Sequence, residues 1–135
     1  MVRLVKSVCV FVFFVTGSVA SANGPIFQNY RPDNIQDALD SGKTVVVAFH
    51  GFWCSPCKKQ FNIMEEARRE NPQLNRMSFF MVDWDEYQSM PVAFDRDVTD
   101  DATLLVMDQN KEIARMVRVT FEDAIKGFLE LGLEW

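Results

Sequence analysis

The chain has 135 residues, of which 14 are lysine or arginine and 19 are aspartate or glutamate, so its formal net charge is −5. An acidic chain of this kind is a poor match for nucleic acid or for an anionic membrane surface. The length is sufficient for one domain with a single hydrophobic core.

The first 22 residues have the pattern of a secretory signal peptide. Arg3 and Lys6 supply a positive start, an apolar stretch follows, and Ala20-Ser21-Ala22 has the small residues of a cleavage site. An uncleaved membrane anchor is the alternative, but a membrane span needs roughly 20 apolar residues and this stretch has about ten. We therefore expect cleavage before Asn23, a periplasmic or secreted protein, and no stable membrane span in the mature domain, residues 23–135.

Removal of residues 1–22 changes both the charge and the cysteine count. It takes away Arg3, Lys6 and Cys9, which leaves twelve basic against nineteen acidic residues, a net charge of −7, and two cysteines. An exported protein meets an oxidising environment in which cysteines tend to pair.

The mature chain is predicted to begin with an irregular segment and one helix. Gly24-Pro25 interrupts regular structure in residues 23–30. Asp33 is predicted to cap a helix that ends at Ser41-Gly42. Thr44–Phe49 is then a continuous β-branched and apolar run, which is typical of a central strand covered on both faces.

A cysteine motif lies where this strand is followed by a helix. The helix is predicted over Ser55–Glu70, and Pro56 suits its first turn. Cys54 and Cys57, three positions apart at the helix start, lie within bonding distance of each other, and the first lies in the field of the helix. A disulfide that closes so short a loop stabilises the fold only weakly, so a reversible redox role is favoured over a permanent, inert disulfide.

The second half of the mature chain is predicted to complete a sheet. Ser78–Asp83 is a second strand, followed by an acidic segment with a short helix near Tyr87–Phe94. Thr103–Met107 and Ile113–Val119 form a hairpin. A closing helix over Thr120–Leu131 is expected to begin with a capping box at Thr120. The predicted fold class is therefore α/β, with a central mixed sheet of about four strands flanked by helices on both faces.

Together, the element order and the cysteine motif resemble the thioredoxin family. The similarity extends from about Ile35 to Leu129, and its most specific part is Trp53-Cys54-x-Pro56-Cys57-Lys58. The resemblance implies a single thioredoxin-like domain, thiol–disulfide oxidoreductase activity on protein dithiols or disulfides, and no cofactor. The leader makes the chain similar to the periplasmic members of that family.

Three features depart from the family pattern. Ala102 stands where the family has a cis-proline, and a cis peptide before alanine costs about 3–4 kcal/mol, so we expect a trans bond there. Ala48 stands where thioredoxins keep a buried acid that takes a proton from the second cysteine. The segment Trp84–Asp101 is a few residues longer than its counterpart.

The helix position assigns roles to the two cysteines. Cys54 is expected to attack and Cys57 to resolve the resulting mixed disulfide. Four residues are expected to support this redox site: Trp53, Ser55, Pro56 and His50. His50 is the only histidine. It could lower the thiol pKa in its positive form or relay protons; a strand-end residue without either role is the alternative.

A partner surface is also expected beside the cysteines. The resemblance implies that a substrate strand lies along Asp101, Ala102 and Thr103. Phe52 and Trp53 are interpreted as a partly exposed apolar platform for a partner chain, with plain packing over the sheet edge as the alternative.

Two other functions remain open at this stage. The first is a non-catalytic binding module that keeps the fold and holds a partner with Phe52 and Trp53. The second is metal or iron–sulfur binding, for which two thiolates are half of a tetrahedral site, so that a dimer would be needed. The acidic clusters around Asp83 and Asp101 lack a calcium-loop pattern and are interpreted as a solvated acidic face. We expect a monomer without a metal.

Overall fold

The computed structural model describes residues 27–109 and 111–135, so the predicted signal peptide lies outside the described residues. The strands are β1 (Phe27–Asn29), β2 (Val45–His50), β3 (Ser78–Asp83), β4 (Thr103–Asp108) and β5 (Lys111–Val117). The helices are α1 (Asn34–Asp40), α2 (Ser55–Glu70), α3 (Trp84–Tyr87), α4 (Pro91–Phe94) and α5 (Glu122–Leu131), with a 3₁₀ turn at Pro72–Arg76. No helix within these described ranges has the length and apolar content to cross a membrane.

The five strands form one mixed sheet in the order β1-β3-β2-β4-β5. β1, β3 and β2 run parallel, whereas β4 is antiparallel to both β2 and β5. The α/β class is confirmed, with five strands in place of about four. The added strand is β1, in a segment predicted to be irregular. Phe27 is buried there, and the N–H of Tyr30 donates to the carbonyl of Met81 at 2.8 Å, because the outer edge of β3 offers backbone partners.

Alternate residues of the central strands supply two cores, one on each face of the sheet. In β2, Val46 and Ala48 face the core beneath α2 and α5, while Val45, Val47 and Phe49 face the core beneath α1 and α4. All five side chains are buried. A strand covered on both faces has no polar side, which explains the unbroken apolar run in the sequence.

Two predicted helix caps are wrong. α1 does follow Asp33, but that residue has a left-handed backbone (φ 75°) and its side chain makes no capping hydrogen bond. α5 begins at Glu122 with Phe121 as its N-cap, so Thr120 forms no capping box. The acidic side chains of Glu122 and Asp123 instead lie in the first turn, where the helix dipole favours negative charge.

Other bounds also differ from the sequence prediction, and β5 begins at Lys111 instead of Ile113. The segment after β3 holds two short helices, and the Asp83 carboxylate caps the first by accepting from the N–H groups of Asp85 and Glu86. β5 ends at Val117, two residues earlier than predicted, because Arg118 turns to φ 55° and leaves the extended conformation.

Leu104 tests the importance of the core between the sheet and α5. Its side chain is completely buried, so we expect Leu104→Ala to lower the free energy of unfolding by about 2–5 kcal/mol. Urea denaturation followed by circular dichroism measures this loss. Leu131→Ala is the matched control, because Leu131 is 41% exposed and should lose much less. Equal losses for the two variants would contradict this account of the core.

Candidate active site

The cysteine motif is positioned by the junction between β2 and α2. Cys54, four positions after the end of β2, takes an extended backbone and is the N-cap of α2, whose bounds match the prediction. The Sγ of Cys54 accepts a hydrogen bond from the backbone N–H of Cys57 at 3.2 Å. Pro56 lies in the first turn, where the missing N–H costs no intrahelical bond. The N-terminal field of the helix therefore acts directly on the Cys54 sulfur.

Cys54 and Cys57 form a disulfide with a Cα–Cα distance of 5.2 Å. Both residues are nearly covered, with exposed fractions of 4% for Cys54 and 2% for Cys57. The two cysteines therefore differ little in exposure. They differ more in their position in the helix, because Cys54 accepts a backbone hydrogen bond at the helix start and Cys57 lies inside the first turn.

Ala102, in the loop before β4, packs against the disulfide. Its side chain is completely buried against both cysteines, and the described part of the chain contains no cis peptide bond. Its backbone N–H donates to the carbonyl of Phe49 at 2.9 Å, a bond that a proline, which has no N–H, would not make. The sulfur of Cys57 lies 3.8 Å from the same carbonyl. While the disulfide is formed this sulfur carries no proton, so the approach is a contact that only the free thiol could turn into a hydrogen bond.

Gln60 supports this loop and was missed by the sequence analysis. Its buried side-chain amide donates to the carbonyls of Ala102 and Val119, each at 2.9 Å. The N–H of Arg118 donates to the Ala102 carbonyl at the same distance. Gln60 lies three positions after Cys57, on the same face of α2, and that spacing was a usable signal.

These bonds bear on the predicted substrate strand along Asp101, Ala102 and Thr103. Ala102 and Thr103 are buried, and the Thr103 hydroxyl donates to the carbonyl of Asp100 at 2.7 Å. The N–H and carbonyl of Ala102 are both paired within the chain. A substrate strand at Ala102 would have to replace one of these bonds, whereas Asp101 remains partly exposed.

The Asp101 carboxylate pairs with the guanidinium of Arg118, a residue that the sequence analysis did not single out. One of its oxygens and the two cysteine sulfurs lie within 4.8 Å of one another. Both sulfurs are bonded to each other, and within the described residues the cluster has three donors, one fewer than a structural zinc site takes. We therefore assign no metal ion to it.

His50 ends β2 and is half-buried. Burial lowers the pKa of His50 below its usual value, and the positive charge of Lys58 acts in the same direction. Part of this shift is offset by three carboxylates, those of Asp83, Asp101 and Asp85. A group with this pKa is mainly neutral at pH 7, so His50 supplies little positive charge to a thiolate. This direction argues against a positive His50 that lowers the thiol pKa, whereas proton relay and a strand-end residue without either role both stay predictions.

Phe52 and Trp53 form an exposed aromatic pair next to the disulfide. Their exposed fractions are 69% and 90%, and their rings meet edge to face with centroids 5.0 Å apart. The N–H of Phe52 donates to the Asp85 carboxylate at 2.8 Å, which fixes the loop. A groove of about 450 Å³ lies beside the pair, lined in part by Tyr30, His50, Phe52, Lys58 and Tyr87. Exposed aromatic surface beside a groove is typical of a partner-binding site.

Comparison with known proteins places this site in a family. The thioredoxin family model matches residues 27–130. Thioredoxin H5 of Oryza sativa subsp. japonica is 29% identical over 100 residues, which cover 74% of this chain and 70% of that protein. Thioredoxin-1 of Saccharomyces cerevisiae is 35% identical over 80 residues, covering 59% of this chain and 73% of its own length. Protein disulfide-isomerase 1 of Dictyostelium discoideum is 32% identical, covering 69% of this chain but 26% of that longer protein.

Solved structures agree with this result. The crystal structure of Trxlp from Edwardsiella tarda EIB202 has a TM-score of 0.67 at 25% identity, covering 75% of this chain and 95% of that one. Malassezia sympodialis thioredoxin has a TM-score of 0.68 at 20% identity, covering 79% and 93%, and supports the fold alone. Because the family match spans the whole sheet and the disulfide at the start of α2, the chain belongs to the thioredoxin family and is a thiol–disulfide oxidoreductase.

Proposed function

We propose that this chain is an exported oxidoreductase that exchanges electrons with protein dithiols and disulfides through Cys54 and Cys57. One observation carries the proposal. The disulfide joins the N-cap of α2 to its first turn, with a backbone N–H directed at the Cys54 sulfur. A donor and a helix field at that sulfur stabilise a thiolate, which is the attacking form of cysteine.

The reaction follows from this geometry in two exchange steps. In the reduced protein, the Cys54 thiolate attacks a disulfide of the partner and forms a mixed disulfide. Cys57, held within bonding reach by the first turn of α2, then attacks Cys54 and releases the partner as a thiol. The same steps in reverse would oxidise a partner dithiol.

The surroundings of the disulfide support a protein partner. Because Cys54 is only 4% exposed, a partner must fit closely around the motif to reach its sulfur. Phe52 and Trp53 offer such a partner an apolar contact surface beside the disulfide, and the groove next to His50 offers room for a side chain. A non-catalytic binding module would use the same surface but would not need an openable disulfide.

Export is proposed from the sequence of residues 1–22. The positive start, the short apolar stretch and Ala20-Ser21-Ala22 together support cleavage before Asn23 and a periplasmic or secreted location. In such a compartment the oxidised form seen here is an expected resting state.

Cysteine variants test the exchange mechanism. We expect Cys57→Ser to accumulate a mixed disulfide with a disulfide-bonded peptide, because the resolving thiol is gone. Cys54→Ser should form none and lose exchange activity. Thiol trapping followed by mass spectrometry measures both, and the two variants serve as matched controls for each other. Disulfide reduction at the unmodified rate by both variants would contradict the proposal.

The signal peptide has a separate test. The full chain, expressed in a secreting bacterial host, should appear in the periplasm or medium with Asn23 as its first residue. Ala22→Asp should block processing, because the position before the cut takes a small uncharged residue, whereas Ser21→Ala should be processed normally. N-terminal sequencing of the fractions measures this. Retention of the unprocessed chain in the cytoplasm would contradict export and leave the redox assignment unaffected.

A further inference from the structure

A carboxylate lies next to the reacting sulfur atoms. The Sγ atoms of Cys54 and Cys57 and one oxygen of Asp101 lie within 4.8 Å of one another. Gly51 lies against the same group of atoms, since a Cβ added there would be in van der Waals contact with both Asp101 Oδ2 and Cys54 Cβ, each at 3.4 Å. We propose that Asp101 accepts the proton of the Cys57 thiol when that thiol resolves the mixed disulfide, and returns it in the reverse reaction. This inference rests on the proposed exchange at Cys54 and Cys57.

The chemistry of resolution requires a proton acceptor at this place. Only the thiolate attacks a disulfide, so Cys57 must lose its proton before or during its attack on Cys54. Cys57 is 2% exposed, which limits direct access of hydroxide from solvent. On the β2 side, Ala48 offers no titratable group. Among the described aspartate, glutamate and histidine residues, Asp101 is the one that clusters with both sulfurs.

The position of the Asp101 carboxylate is set by Arg118, the residue that follows β5. The guanidinium of Arg118 pairs with it, while the Arg118 N–H bonds the Ala102 carbonyl at 2.9 Å. When the proton moves from Cys57 to Asp101, one negative charge moves from the carboxylate to the sulfur. The net charge of the cluster together with Arg118 therefore stays the same, and no additional charge is created beside the disulfide.

The other charged groups at this end of the sheet are placed differently. His50 is the competing base, and it is influenced by Lys58, Asp83 and Asp85 as well as by Asp101. It does not belong to the group of atoms within 4.8 Å that contains both sulfurs. The two acceptors can therefore be distinguished by variants at each position.

The proposed step is balanced in protons and electrons. In the mixed disulfide, Cys54 Sγ is bonded to a sulfur of the partner. Asp101 takes the Cys57 proton, and the Cys57 thiolate attacks Cys54 Sγ. The Cys54–Cys57 bond forms as the bond to the partner breaks, and the partner sulfur leaves as a thiolate that is protonated by Asp101 or by solvent. Over the two exchanges, two electrons pass from the protein dithiol to the partner disulfide, and the partner becomes a dithiol.

Asp101→Asn tests the proposal, because it removes the base with little change in shape. The reduced protein is mixed with a disulfide-bonded peptide, quenched with acid at intervals, and the mixed disulfide is followed by mass spectrometry. For Asp101→Asn we expect resolution to be about 100-fold slower near pH 7, the lower range for loss of a general base. Its rate should then rise about tenfold per pH unit toward the ordinary thiol pKa of about 8.5, since only preformed thiolate reacts. The unmodified protein should depend less steeply on pH.

Three further variants complete the experiment. Asp100→Asn is the matched control, an exposed neighbour with the same change of charge, and should follow the unmodified protein. Asp101→Glu should recover much of the rate near pH 7, and His50→Gln should leave the steepness of the pH profile unchanged. Three outcomes would overturn the proposal. Asp101→Asn could slow resolution equally at every pH, it could leave the rate of resolution unchanged, or the steep pH profile could appear in His50→Gln and not in Asp101→Asn. If Cys57→Ser traps no mixed disulfide, the proposed function fails and this inference fails with it.

Discussion

The fixed position of β2 at the centre of the sheet is the constraint on which the site depends. β3 and β4 pair with its two edges, and helices cover both of its faces. The carboxyl end of β2 is therefore held in place, and only four residues separate it from α2. Because the connection is so short, the first turn of α2 must lie over the loop that precedes β4, and Cys54 and Cys57 meet Ala102 there. The redox site is thus placed by the strand pairing of β2 and by the packing of the cysteines against Ala102.

Hydrogen bonds hold the loop at Ala102, where the family resemblance places a proline. The N–H of Ala102 bonds the end of β2, and its carbonyl accepts from Gln60 on α2 and from Arg118 after β5. Three elements are tied to one residue by these bonds. A proline would remove the first bond and would fix a different backbone conformation from the φ of 52° found here. The alanine therefore belongs to a loop that is defined by its hydrogen bonds and by the left-handed turn.

Acidic residues near the site have local partners that their sequence pattern did not indicate. The clusters around Asp83 and Asp101 were interpreted as a solvated face. In the structure, Asp83 caps α3, Asp85 accepts from the Phe52 N–H, and Asp101 pairs with Arg118 beside the disulfide. Short carboxylate side chains bond nearby backbone groups readily, so an acid in a loop is often part of its construction. Which acid meets which donor depends on how the loops come together.

The sequence by itself determined β2, the bounds of α2 and the cysteine pair. Each depends on residues close together in the chain: an unbroken apolar run, a proline in a first turn, and two thiols three positions apart. The tertiary structure alone decided the edge strand β1 and the contacts of Gln60 with carbonyls 42 and 59 positions away. It alone placed the Asp101 carboxylate beside the sulfurs. Local periodicity carries no information on such distant pairs, because they form only when the packed sheet brings separate loops to one end.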